Sequence, residues 1–245
     1  MGGDPDPKRA GAYLAAAVEG GADLLEVGIP FSDPVADGPT IQRAAVRALA
    51  AGVRPTDVLS SVKALRGRGV TTPIVAMTYA NIPFAMGYDA YAAALSAHGV
   101  DGTIIPDMPV DEAGPLAAAL EKQGLAMILL AAPLTRGPRL ARIATATRGF
   151  LYLVGSFGTT GARGALAPET LGLLRNTLPA ARAAGVPLAV GFGVSTPEHV
   201  STLVANGADG VVVGSALVQL VEEGAEPAAV TGAVRRLAEG LRART

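Results

Sequence analysis

Glu26 interrupts an apolar run, Leu24 to Ile29 (LLEVGI), where a buried strand calls for no charge. An ionised carboxylate among Leu, Val and Ile loses its solvation, so it is neutralised, paired or put to chemical use. The loop that follows holds three Pro, two Asp and one Gly within ten residues, and its Asp37 lies eleven positions beyond Glu26. Two carboxylates in different settings, one on a strand and one on a loop, suit a division of acid and base work. The plainer readings are a buried ion pair for Glu26 and an Asp-Gly turn for Asp37. Local sequence leaves both readings open.

A second set of residues points to an anion. Val190 to Thr196 (VGFGVST) and Val211 to Leu217 (VVVGSAL) each end an apolar run in Gly and lead into a helical pattern. Backbone N–H groups at such a turn can face an anion, and the helix dipole favours negative charge there. The competing reason for these glycines is tight packing between strand and helix. Gly155 to Gly164 (GSFGTTGARG) is too polar and glycine-rich for core. Its length reads as a mobile lid whose Thr160 and Gly161 can add phosphate contacts on closing. Tyr152 and Phe192 supply aromatic faces at strand ends in a chain with 4% aromatics and no Trp, and either can equally fill a core.

The elements that must carry these groups alternate. Apolar spacing predicts helices over 9–19, 41–50, 55–66, 90–97, 111–123, 138–147, 168–184 and 197–206, with more helix to the end. Short apolar runs between them predict strands over 24–29, 74–78, 102–105, 126–130, 151–154, 188–190 and 210–213, the second delivering Tyr79, Ala80 and Asn81 to a loop. Unalternated strands between helices indicate a parallel sheet buried on both faces, and in a βα barrel functional groups gather in the loops after the strands. GADLLEVG at Gly21, GVDGTIIP at Gly99 and GADGVVVG at Gly207 repeat one design, a helix ending on Gly, an acidic turn residue and a buried strand. These repeats favour one closed βα array over residues 1–245 rather than two domains. Seven strands are counted where such a barrel has eight, and Gly2 to Pro7 reads as a loop where a strand is expected.

Composition narrows the partners. Lys plus Arg is 20 and Asp plus Glu is 21, so bulk charge will not hold a polyanion, while small anions remain open. The absence of Cys removes disulfides, thiolate nucleophiles and Cys-ligated metals, and the two His, His98 and His199, lie too far apart to form a zinc site alone. No apolar run reaches the roughly 18 residues of a membrane span, and MGGDPDPKR lacks a signal-peptide core, which together read as a cytoplasmic protein.

The run LEVGIPFSDPVADGPTIQ, followed in order by MTYAN, DMPVDE, TTGARG, GFGVST and VGSAL, resembles the α subunit of tryptophan synthase, an indole-3-glycerol-phosphate lyase, from Gly3 nearly to the C-terminus. The resemblance implies a TIM (β/α)8 barrel, here lacking the N-terminal helix and first strand, and a retro-aldol cleavage of indole-3-glycerol phosphate to indole and glyceraldehyde 3-phosphate. Glu26 matches the residue that moves the protons and Asp37 the carboxylate that accepts the indole N–H. Substrate contacts are implied at Tyr79, Tyr152, Thr160, Gly161, Phe192, Gly193, Gly214 and Ser215, with Thr160 matching the lid threonine that orders Asp37. No metal or organic cofactor is implied. Pro30, Asp33, Asn81, Phe84, Asp107 and Pro109 match the surface that meets a pyridoxal-phosphate β subunit in an α2β2 heterotetramer. The lid departs from the family's pattern at Gly155, Ser156 and Phe157.

Three functions fit this reading. The chain is half of a two-subunit tryptophan synthase, a stand-alone indole-releasing lyase of specialised metabolism, or a weakly catalytic activator of a β subunit. The absent first strand favours the last, and the intact Glu26 and Asp37 pair opposes it.

Overall fold

The computed structural model describes residues 1–155, 166, 168–191 and 193–244. Parallel strands alternate with helices along the chain. The first half runs α1 (Pro7–Glu19), β1 (Leu25–Gly28), α2 (Pro39–Ala50), α3 (Pro55–Gly67), β2 (Ile74–Met77), α4 (Asn81–Met86), α5 (Tyr88–Ala97), β3 (Gly102–Ile104) and α6 (Gly114–Lys122). The second runs β4 (Ala126–Ile128), β5 (Leu130–Ala131), α7 (Gly137–Ala146), β6 (Leu151–Val154), α8 (Pro168–Ala184), β7 (Leu188–Gly191), α9 (Pro197–Ala205), β8 (Gly210–Val211), α10 (Ser215–Glu222) and α11 (Pro227–Glu239). Among the described residues, no helix is long and apolar enough to cross a membrane.

Pairing follows chain order, β1-β2-β3-β4 and then β5-β6-β7-β8. The expected strand over 126–130 is split into β4 and β5 at Leu129, whose N–H is taken by the buried Thr147 hydroxyl at 2.9 Å. Counting those halves as one strand gives seven, as the apolar runs suggest. The residues wrap into a βα barrel with two apolar layers. Outside, the sheet packs on the helices through residues such as Leu25, Val27, Ile74 and Leu151. Inside, Val75, Ile104 and Ile128 pack with Leu24, Met77, Leu130 and Tyr152.

Three expectations need correction. Asn81 does not enter a loop: it begins α4. Pro83 sits in the first turn of that short helix, where a backbone N–H has no helical partner to lose. The helix expected from Asp111 starts at Gly114, with Pro115 in its first turn. The last strand ends at Val211 rather than Val213.

Two of the three sequence repeats, those at Gly99 and Gly207, have a structural cause. Asp101, ahead of β3, accepts the N–H of Ile74, the first residue of β2, at 2.7 Å, while the same carboxylate oxygen takes Arg66 of α3 at 2.6 Å. Asp209, ahead of β8, does the same for Leu188 of β7 at 2.9 Å and also pairs with Arg182 of α8. Each acidic turn therefore fixes where its neighbouring strand begins.

No ladder pairs β8 with β1 among the described residues. On that side Gly2 donates its N–H to the Gly28 carbonyl at 2.8 Å. Around it Asp4, Arg47 of α2, Glu222 of α10 and Arg43 of α2 form a continuous chain of ion pairs.

Candidate active site

The parity of β1 aims Glu26 inward. Leu25 and Val27 are buried in the outer layer, so Glu26 lies on the opposite face, in register with the interior residue Val75. Glu26 lines a cavity of about 1050 Å³ whose wall also takes in Asp37, Tyr79, Tyr152, Gly193, Gly214 and Ser215. Loss of water first, and then the charge of Asp37, raise the Glu26 carboxyl to about 7 against the opposing amino group of Met1. A side chain so placed exchanges its proton near neutrality.

Asp37 follows a turn closed by its own N–H to the Pro34 carbonyl at 3.0 Å. Tyr79, at the end of β2, donates its hydroxyl to Asp37 Oδ2 at 2.9 Å and accepts the Ala36 N–H at 3.0 Å. The Tyr79 ring is buried and stacks on Phe31 with centroids 5.3 Å apart. Burial raises the Asp37 carboxyl and the Tyr79 hydrogen bond holds it down, leaving it above its ordinary value. Oδ1 of Asp37 has no partner among the described residues and is the oxygen left for a ligand donor. Burial likewise pushes the Tyr79 and Tyr152 hydroxyls well above their ordinary range, so both enter the site as neutral donors.

Gly214 caps α10 and Ser215 is the first residue of that helix, a run of apolar residues whose amino end opens on the cavity. A Cβ at Gly214 would meet no atom within 4 Å, so the space beside it is open. Gly193 adopts φ 65°, a left-handed backbone that favours glycine and turns the chain beside the same cavity. These turns offer backbone N–H groups and a helix dipole to an anion.

Seven of the ten catalytic and substrate positions expected from sequence thus line one cavity. The other three, Thr160, Gly161 and Phe192, lie outside the described residues. Of the expected partner surface, Asp33, Asn81, Phe84 and Asp107 are exposed, Pro109 is half-buried and Pro30 is buried. Sequence reasoning passed over Phe31 and the Ile128 and Leu130 wall. An aromatic residue directly after Pro30, in a chain so poor in aromatics, was the signal for Phe31.

Residues 1–243 match the family model described as tryptophan synthase alpha chain. The chain belongs to that family. It is 46% identical over 223 residues to the tryptophan synthase alpha chain of Methanoregula boonei, covering 91% of this chain and 83% of that one. Against the alpha chain of Geobacillus kaustophilus it is 48% identical over 224 residues, covering 91% and 81%. Among solved structures, a chain from a study of mutual activation in the tryptophan synthase a2b2 complex of Pyrococcus furiosus superposes with a TM-score of 0.89 at 42% identity, covering 98% and 94%. A chain of Mycobacterium tuberculosis tryptophan synthase gives 0.88 at 40% identity, covering 98% and 90%. The tryptophan synthase alpha chain family thus accounts for the barrel over nearly its whole length.

Proposed function

We propose that this chain is the α subunit of a tryptophan synthase and cleaves indole-3-glycerol phosphate to indole and glyceraldehyde 3-phosphate. The observation that carries the proposal is the half-buried pair of carboxylates, Glu26 on its strand and Asp37 held by Tyr79, in one cavity with glycine turns suited to phosphate. The substrate phosphate lies at Gly193, Gly214 and Ser215. Its indole ring lies on the apolar wall of Val75, Ile128 and Leu130, against Tyr152.

Cleavage puts a proton on indole C3, removes the proton of the adjacent side-chain hydroxyl, and breaks the carbon–carbon bond between those centres as the hydroxyl carbon becomes an aldehyde. Positive charge spreads to the ring nitrogen as C3 is protonated, and Asp37 Oδ1 accepts the indole N–H and stabilises that charge. Glu26 gives and takes the protons. A pKa of about 7 leaves both of its forms populated near neutral pH.

We further propose that the chain works in the cytoplasm with a β subunit as an α2β2 assembly, the arrangement named for the Pyrococcus furiosus complex. Asp33, Asn81, Phe84, Asp107 and Pro109 supply the contact surface, and Phe84 is 77% exposed. The test is indole release from indole-3-glycerol phosphate, alone and with a tryptophan synthase β subunit. Slow release that rises on adding the partner supports this reading. Release that is fast alone and indifferent to the partner favours an independent lyase, and a folded chain with no release in either case refutes cleavage.

A further inference from the structure

The two halves of the site stand on opposite sides of the β8–β1 edge, where no ladder pairs the sheet among the described residues. The phosphate turn, Gly214 and Ser215, opens α10 after β8, and the Asp37 loop opens α2 after β1. Elsewhere in the barrel neighbouring loops inherit their spacing from backbone ladders, but β8 and β1 share none among the described residues. What joins α10 to α2 is side-chain chemistry. Glu222, the last residue of α10, takes Arg43 Nε at 2.6 Å and Nη2 at 2.7 Å, and Arg47 Nη1 at 2.8 Å. Arg47 reaches on with Nε and Nη2 to both oxygens of Asp4, at 2.7 and 3.0 Å. The Asp4 side chain is 2% exposed and lies two residues beyond the Gly2 contact with Gly28 of β1.

We propose that Glu222, Arg47 and Arg43 are positioning residues that set the separation between the phosphate-binding helix and the carboxylate loop. A two-pronged Arg–carboxylate contact fixes direction as well as distance, and the bond from Arg47 to buried Asp4 ties the group to β1 rather than to a free surface. Helix α10 is short, so a tilt at Glu222 is carried to Ser215. The inference rests on the phosphate reading above and deepens it.

A ligand that spans both halves should feel the spacing, and one that touches a single half should not. The experiment compares wild type with Glu222→Gln, by titration calorimetry with inorganic phosphate and with a non-cleavable indole alkyl phosphate, alongside cleavage kinetics on indole-3-glycerol phosphate. The expected result is phosphate affinity within about 2-fold of wild type, with affinity for the spanning ligand and kcat/KM both lowered by roughly 10-fold, about 1.4 kcal/mol. Arg43→Gln leaves Arg47 on Glu222 and should move the same quantities in the same direction by less; it serves as the variant of record if Glu222→Gln does not fold. Parallel loss of both ligands would show general loosening of α10 and overturn the inference, as would no change in either. A wild-type chain that binds neither ligand overturns it too. One that binds both and does not cleave refutes only the lyase reading.

Discussion

Glu26 is asked to deliver a proton to a ring carbon and to collect one from a hydroxyl, which needs a carboxyl poised near neutrality. Glu26→Gln keeps the shape and removes the exchange, so turnover should fall by about 10³-fold or more while phosphate affinity holds, as single-turnover kinetics would show. The same substitution should change stability in a pH-dependent way. A carboxyl that keeps its proton up to about 7 when folded and loses it near 4.5 when unfolded stabilises the fold fully below 4.5, and that contribution is lost as pH rises through 7. Glu26→Gln should therefore melt close to wild type at pH 4.5 and above it at pH 8, by up to roughly 3 kcal/mol. Equal melting shifts at both pH values would remove the burial cost. Tyr79→Phe deletes a donor to Asp37 and an acceptor for the Ala36 N–H. At about 1 kcal/mol for each hydrogen bond, cleavage should drop roughly 30-fold with little change in phosphate affinity. Glu26 was legible in the sequence because a charge inside an apolar run is anomalous in itself. Its neighbour's support was not, since Tyr79 is 42 residues from Asp37 and nothing in either local stretch names the other.

At the scale of elements, the strands were readable because a parallel sheet covered on both faces demands continuous apolar runs, and Leu188 to Gly191 or Ile74 to Met77 leave little alternative. The split between β4 and β5 was not readable, because it depends on Thr147, eighteen residues further on, capturing the N–H of Leu129. Helix α4 was missed because Pro83 looks like a breaker until its place in the first turn is known. Close approach between strands gives a direct test. A Cβ at Gly191 would stand 2.8 Å from the Tyr152 hydroxyl and 2.9 Å from the same ring, so Gly191→Ala must displace Tyr152. Overpacking of this kind costs about 1–3 kcal/mol, to be read from a urea midpoint, and the moved ring should raise the Michaelis constant for the indole substrate. An unchanged Michaelis constant would take Tyr152 out of the pocket.

On the scale of the whole molecule, large apolar side chains stand exposed in the segments after the strands: Val35 at 76% and Leu134 at 88% in loops, and Phe84 at 77% on α4. In the proposed α2β2 assembly Phe84 belongs to the surface that the β subunit covers. Phe84→Ser should reduce stimulation by a β subunit several-fold while leaving basal cleavage and melting temperature within error, as a titration of partner against indole release would show. The barrel also divides its labour along its axis. Asp101 and Asp209 hold the starts of β2 and β7 at the amino ends of the strands, and no catalytic or substrate-binding position expected from sequence takes part in either contact. Register is thus stored at one end and reactivity at the other, with little shared sequence between them. Evolutionary drift can therefore rewrite the rim without erasing the fold, and a library randomised over the rim loops should retain far more folded members than one randomised at the acidic turns.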